Sequence, residues 1–297
     1  MKTPFFTVFT PTYNRAHTLH RVYDSLIVQT FRNFEWIIVD DGSKDNTGEL
    51  VKSWQRNAPF QIRYIYQENQ GKHIAINIGV KEAKGELFLI FDSDDSCVPE
   101  SLECFRFYWG KIPEEEKKYY STISALCMDL NGKVIGEEFP AEIVDEDSVW
   151  QQIMLRSSGD RWGANRTDVL KNFPFPEISG EKFIPEGIVW NRMSQLYKAR
   201  FINKKLLIHE YLPDGLSVSS IKLRAQNPIG ARLYYKELSV LNIPIWQKVK
   251  ALVNYIRFSL HGKVQLTYII KESVAPFTTS GLLFFGYFLF KDDNKEL

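Results

Sequence analysis

The sequence predicts an α/β fold: a largely parallel sheet covered by helices, followed by a C-terminal helical extension. Two observations carry the sheet. Over the first hundred residues short β-rich apolar runs alternate with helical patterns, and several of those runs are apolar almost throughout, as in strands buried on both faces. One observation carries the extension. After about residue 240 the strand signal stops and amphipathic or wholly apolar stretches of helical length take over.

Taken in order, FFTVFT reads as a first strand, and a helix from Thr18 follows with Leu19, Val22, Tyr23, Leu26 and Ile27 on one face. EWIIVD is the second strand, with a helix after Asn46; IRYIY is the third, with a helix around IAINIGVKEA; LFLIF is the fourth. Pro99 suits the first turn of a helix over SLECFRFYWGKI, which ends before the solvated PEEEKK. STISALCMDL followed by NGK predicts a strand and a hairpin turn. Further on, the pattern predicts a helix around Val149 to Leu155, a short strand at Arg161 to Asn165, a helix from about Glu186 to Lys198 and the strand FINKKLLIHEY. IWQKVKALVNYIRFSLHGK puts Trp246, Val249, Val253, Ile256 and Leu260 on one face, and GLLFFGYFLF (281–290) carries no charge.

The 297 residues suffice for a sizeable core and set a soft prior of roughly two domains. Lys+Arg 37 against Asp+Glu 36 leaves a net charge of +1, which argues against a polyanionic partner, so nucleic acid is not expected. Cys97, Cys104 and Cys127 are odd in number and lack CxxC spacing, the mark of reduced thiols in a cytosolic setting. The N-terminal apolar run is cut by prolines and Arg15 and does not read as a signal peptide. No apolar stretch reaches the roughly 18 residues of a spanning helix. The five histidines, His17, His20, His73, His209 and His261, show no metal-ligand spacing.

Chemistry is expected at the strand ends. In an open α/β sheet ligands bind beyond the carboxyl ends of the strands, and these ends carry TPTYNR (10–15), DDGS (40–43) and DSDD (92–95). Parallel strands bring the three sets to one edge. Asp92, Asp94 and Asp95 are like charges that disfavour one another's ionisation unless a cation or donors await them. A hard cation such as Mg²⁺ or Mn²⁺, held by one or two carboxylates and a substrate phosphate, meets that need. A solvated acidic turn before Pro99 is the plain alternative.

TPTYNR, SLIVQTFRNFEWIIVDDGSKDNT, NQGKHIAINIGVKEAKGE and FDSDD follow one another in an order and spacing that resemble family 2 glycosyltransferases of the GT-A fold, strongly over about residues 5–100 and more weakly to about 220. The resemblance implies a Rossmann-like mixed sheet flanked by helices. It implies a catalytic domain over 1–220, with a nucleotide-sugar half (1–100) and an acceptor half (101–220), and an extension over 221–297. Thr10, Pro11, Tyr13 and Arg15 with Asp41 would form the nucleotide-sugar edge, Asp41 accepting from the base. Asp92, Ser93 and Asp94 would be the DxD approaching ribose and metal, with Asp94 or Asp95 as metal contact, and Lys72 would lie by the diphosphate.

The implied reaction is a metal-dependent, inverting transfer of one sugar from a nucleotide-sugar, UDP by family habit, to a glycan or lipid-linked saccharide acceptor, with Mn²⁺ or Mg²⁺ as cofactor. Family members often carry Glu-Asp at the head of the helix that supplies the base; here the pair reads Glu186-Gly187, which leaves Glu186 as the expected catalytic base and Glu181 in reserve. Processive relatives carry QxxRW and spanning helices, whereas Arg161-Trp162 precedes Glu186 and no span is read, so single addition is expected. Trp162 then reads as an acceptor-side wall or a buried core ring.

The basic amphipathic segment 245–263 and GLLFFGYFLF fit either peripheral contact with the cytoplasmic face of a membrane, over 245–290, or a helix pair packed on the catalytic domain or another subunit. The oligomeric state stays open. Two other functions compete: a haloacid-dehalogenase-type phosphatase with Asp92 as nucleophile, and a nucleotide-sugar-binding or membrane scaffold without turnover. The phosphatase pattern uses the first strand, whereas three βα units precede Asp92.

Overall fold

The computed structural model describes residues 3–147, 149, 159–210 and 220–296. The helix expected around Val149 to Leu155 falls, apart from Val149, outside the described residues. The chain divides into two compact units, one of residues 1–174 with 192–210, the other of 175–191 with 211–297. The stretch holding Glu181 and Glu186 thus clusters with the C-terminal helices.

In the first unit β1 (Phe6–Thr12), β2 (Phe34–Asp40), β3 (Gln61–Tyr66) and β4 (Leu87–Ile90) pair in parallel, and α1 (His20–Ile27), α2 (Thr47–Asn57) and α3 (Lys72–Glu82) connect them. α1 starts two residues later than the periodicity predicts. The order of the strands is β3-β2-β1-β4-β8-β6-β9-β5, with β5 (Ser96–Cys97), β6 (Tyr120–Met128), β8 (Arg161–Arg166) and β9 (Lys198–Ile208), while β7 (Ile143–Glu146) pairs with β9. β8 runs antiparallel to β4 and β6, so the sheet is mixed. The helix α4 (Ser101–Gly110) and the turn Asp129–Lys133 sit where the sequence puts them. The helix expected over 186–198 covers only Gly187–Ser194, because Lys198 is already paired with Tyr120 as the first residue of β9.

All seven residues of β1 and of β2 are buried, as expected for strands covered on both faces. On one face Trp36, Val8 and Phe6 form one cluster with Leu19, just before α1, and the α1 residues Val22 and Leu26, with Tyr23 stacked on Trp54 at 4.5 Å. Each such buried side chain contributes about 1.5–3 kcal/mol. Trp162 belongs to the same core, its ring 5.1 Å from Phe91, and its Nε1 donates to the Ile90 carbonyl at 2.7 Å. The acceptor-wall reading of Trp162 gives way to a core ring that fixes the end of β4.

In the second unit helix Ile245–His261 packs between Pro228–Leu238 and Pro276–Glu296. Covered on two sides, it buries Ala251, Leu252, Tyr255, Ile256 and Phe258, while Trp246 is 46% exposed. The single stripe predicted through Trp246 therefore does not describe it.

α3 reaches the sheet because Gly79 carries no side chain: a Cβ there would stand 2.3 Å from the Phe9 ring, which stacks on Phe88 at 5.1 Å. Gly79→Ala is expected to lower stability by about 1–3 kcal/mol through overpacking, read as a lower Tm and urea midpoint. An unchanged midpoint would contradict this packing.

Candidate functional site

The parallel register sets Thr12 opposite Asp40, Asp40 opposite Tyr66, and Phe9 opposite Ile90, so β1 to β4 end along one edge. The three polar sets predicted to converge do so there, and they are laced together by hydrogen bonds. Asn14, with a left-handed φ of 54°, donates its N–H to Ser43 Oγ at 2.8 Å, and its Oδ1 accepts from the Lys44 N–H at 2.8 Å. The TPTYNR and DDGS loops are thereby joined.

Asp41 joins DDGS to the loop before α3. One carboxylate oxygen accepts from Gln67 Nε2 (2.6 Å) and the Gln70 N–H (2.8 Å), the other from the Gly71 N–H (2.8 Å) and Asn69 Nδ2 (3.2 Å). That fills the acceptor capacity of a carboxylate. Asp41, expected to accept from a nucleobase, is engaged by the 67–71 loop and is 5% exposed. Gly42, at φ +88°, lets the two loops touch, since a Cβ there would lie 2.9 Å from the Asn69 nitrogen. The neighbouring Asp40 accepts from the Ser43 N–H (2.8 Å) and Tyr64 Oη (2.6 Å); burial and that carboxylate push the Tyr64 hydroxyl pKa upward.

The acidic set meets its cations at this edge. Lys72, first residue of α3, places Nζ 2.8 Å from Asp92. Arg15 lies 3.9 Å from the Asp94 carboxylate, and Arg21 donates to the Asp94 carbonyl at 2.9 Å while pairing with Glu210 at 3.1 Å. Asp95, almost fully buried, meets His209 Nδ1 at 2.6 Å. The pairing Ser96↔Ile208 between β5 and β9 extends naturally to set Asp95 beside His209. Sequence reading missed His209: the signal would have been β9 ending opposite the acidic turn, and a two-residue β5 is too short to read.

Burial raises the Asp95 pKa to about 6, with Asp92 and Asp94 adding to the rise and the His209 bond opposing it. The hydrogen bond to Asp95 holds the His209 pKa above its ordinary value, against the opposing effect of burial. The charged pair therefore needs Asp95 ionised as well as His209 protonated, and the imidazolium's contribution is lost as pH rises through the raised His209 value.

The remaining predicted residues part company. Thr10 is fully buried and its Oγ1 accepts from Trp36 Nε1 at 2.9 Å, so it serves the core and not the edge. Pro11 is buried within β1, and Ser93 is 7% exposed. Tyr13, by contrast, stands 46% exposed just past the strand end. Thr12, which sequence reading passed over, ends β1 with a buried Oγ1 that has no hydrogen-bond partner among the described residues. A buried hydroxyl left so is a place for a ligand or water.

Among the described residues no group of three or more His, Cys, Asp or Glu side chains converges on a metal position. Asp92, Asp94 and Asp95 each turn to a different protein cation. The donors still suit a hard divalent ion: Asp94 and Asp95 offer carboxylate oxygens, and such an ion takes one or two of these plus substrate phosphates.

In the second unit Glu186 is half-buried at the head of helix Gly187–Ser194. A Cβ at Gly187 would lie 3.0 Å from the Tyr234 ring, which occupies the space a side chain there would need. Glu181 caps another helix: its carboxylate accepts from the N–H groups of Ile229 (2.5 Å) and Gly230 (2.6 Å), in the first turn of Pro228–Leu238. The reserve base is thus a helix-capping carboxylate, though burial raises its pKa.

Residues 7–111 match the model of the family "Glycosyl transferase family 2". Glycosyltransferase GlyG of Streptococcus pneumoniae is 29% identical over 218 residues, 68% of this chain and 69% of that protein. An uncharacterized glycosyltransferase of Nostoc sp. is 39% identical over 97 residues, 33% of this chain and 30% of its own length. The chain thus spans less than a third of the Nostoc relative, and also of a Rickettsia felis relative matched over 20% of its length. Among solved structures, Staphylococcus aureus TarS in complex with UDP-GlcNAc superposes with a TM-score of 0.63 at 21% identity, covering 90% of this chain and 78% of that one. The mannosyltransferase PcManGT from Pyrobaculum calidifontis, in complex with GDP-Man and Mn²⁺, gives a TM-score of 0.58 at 17% identity, covering 97% and 81%. The fold is that of GT-A proteins, and the phosphatase alternative finds no support among these relatives.

Two outcomes are expected from this geometry. Asp41→Asn removes acceptors for the 67–71 loop and should cost about 2–4 kcal/mol, with faster amide exchange confined to that loop; unchanged exchange would contradict the anchor. His209→Gln should be less stable than wild type by about 1–2 kcal/mol at pH 6, a gap that shrinks by pH 8.5 in urea melts. A gap independent of pH would contradict the charged pair.

Proposed function

We propose that this chain, whose residues 7–111 form a glycosyltransferase family 2 domain, transfers one sugar from a nucleotide-sugar to a saccharide acceptor with inversion. The observation that carries the reading is the charge-matched edge, where Asp92 and Asp94 are held by Lys72 and Arg15. A nucleoside diphosphate is the ligand that exchanges such partners. Its phosphates would take the lysine and the arginine, which would leave Asp92 available to the ribose and Asp94 available to a divalent ion. Asp94 and Asp95 would hold Mn²⁺ or Mg²⁺, which when bound supplies positive charge for the departing diphosphate.

Tyr13 offers an exposed ring on which the base can stack, worth about 1–3 kcal/mol. Thr12 offers its unmatched hydroxyl beside it along β1. Asp41 acts on the nucleotide through the loop it anchors, which delivers Lys72. Pro11 and Ser93 shape the strand ends as buried residues. UDP-sugar is the favoured donor class because the TarS neighbour binds UDP-GlcNAc; the GDP-Man complex of PcManGT marks the competing choice on the same fold.

Glu186 is assigned as general base. The acceptor oxygen attacks the anomeric carbon, the bond from that carbon to the diphosphate oxygen breaks, and the hydroxyl proton passes to the Glu186 carboxylate. The acceptor class is a glycan or a lipid-linked saccharide, by likeness to the family. Binding without turnover is the competing reading, favoured by Gly187 standing where the family often carries Asp.

Asp94→Asn should lower turnover of the matched donor by about a thousandfold or more at unchanged Tm. Glu186→Gln should keep donor binding and lose transfer. The assay is release of nucleoside diphosphate across a panel of nucleotide-sugars with Mn²⁺ and an acceptor. Wild-type-like release by Asp94→Asn would remove the metal assignment, and donor binding by wild type without release from any donor would favour the scaffold.

A further inference from the structure

The last helix, Pro276–Glu296, is apolar on two opposite faces, and only one is covered. Thr279, Gly286 and Asp293 are buried, with Leu282, Leu283 and Phe290 partly so, and a Cβ at Gly286 would meet Ile256 at 2.5 Å. Arg257 and His261 both bind Asp293, pinning this face to the neighbouring helix. The opposite face carries Phe277, Gly281, Phe284 and Phe288 at i, i+4, i+7 and i+11, with Phe285 beside them. Their exposures are 96% for Phe277, 72% for Phe284, 58% for Phe285 and 60% for Phe288. A helix apolar all round is not a water-facing helix.

The same stripe continues into charge. Three and seven residues after Phe288 come Lys291 and Lys295, both exposed, Lys295 lying 3.4 Å from Asp292. Lys291 Nζ sits 5.5 Å from the centre of the Tyr287 ring, itself 48% exposed. Over 245–296 Lys248, Lys250, Lys263, Lys271, Lys291 and Lys295 outnumber the acidic Glu272, Asp292 and Glu296, while Arg257 and Asp293 are paired with each other, in a chain that is otherwise near neutral. No helix among the described residues is long and apolar enough to cross a membrane. An aromatic stripe ending in lysines lies in a bilayer interface, rings among the acyl chains and ammonium groups at the phosphates.

We infer that the Phe277–Phe288 face docks this chain on an anionic lipid surface, with the helix lying in the plane of the interface. A second copy of the chain is the competing occupant of such an apolar face. An anionic bilayer satisfies both the rings and the lysines.

The test is co-sedimentation of the full chain with phosphatidylcholine vesicles, pure or containing about 30% phosphatidylglycerol. The chain should partition onto the anionic vesicles, less so in high salt, and about tenfold more weakly as the Phe284→Ser/Phe288→Ser variant with an unchanged Tm. Lys291→Gln/Lys295→Gln, which leaves the rings in place, should lose a few-fold on anionic vesicles only. Absence of binding, equal binding to neutral vesicles, or equal binding by the phenylalanine variant overturns the proposal. So does reversible self-association in sedimentation velocity that the phenylalanine substitutions abolish without any vesicle binding, which would give the face to a second copy.

Discussion

Three carboxylates packed within four residues at the end of a buried strand cannot stand uncompensated. Like charges so close in the chain disfavour one another's ionisation unless cations offset them. The protein answers with a separate cation for each: Lys72 for Asp92, Arg15 for Asp94, His209 for Asp95. These come from the start of α3, the loop after β1 and the end of β9. Compensation therefore links pieces of chain far apart in sequence, and β1, α3, β4 and β9 must all be in place before the charges are matched.

A second layer of bonding makes that placement firm. Asn14 with Ser43 and Lys44, then Asp41 with the 67–71 loop, join three strand-end loops into one rim. The effect is to deliver Lys72 and Arg15 to the acidic turn without either being held by a deeply buried ion pair. Partly exposed pairs of this kind are weak and exchangeable. On the proposed reading, a site whose cations can leave for a diphosphate is preorganised for charge and yet open to a ligand.

The parallel half of the sheet was legible in the sequence because fully buried strands announce themselves as unbroken apolar runs, as Trp36 to Val39 does, and because their polar ends stand out by contrast. The edge shared by TPTYNR, DDGS and DSDD followed from strand direction alone. What stayed hidden depended on contacts between distant residues. Thr10 and Thr12 look alike in a linear motif and share one face of β1, but the Trp36 indole reaches Thr10, while Thr12 has no hydrogen-bond partner among the described residues. Asp41 looks like a ligand contact until its donors are counted, and Glu181 like a base until Ile229 and Gly230 are found on it. β5 and β7 are short, and the helix Ile245–His261 reads as one-sided though two helices cover it.

The central claim is that the acidic turn is occupied by the protein's own cations until a diphosphate draws them away, so that metal and nucleotide bind together or weakly. Calorimetric titration of Mn²⁺ into the full chain, with and without saturating UDP, tests this directly. The account predicts little heat from Mn²⁺ alone and an apparent Kd at least about tenfold lower with UDP present, a coupling of about 1.4 kcal/mol or more. Equal Mn²⁺ affinity in the two titrations would contradict it.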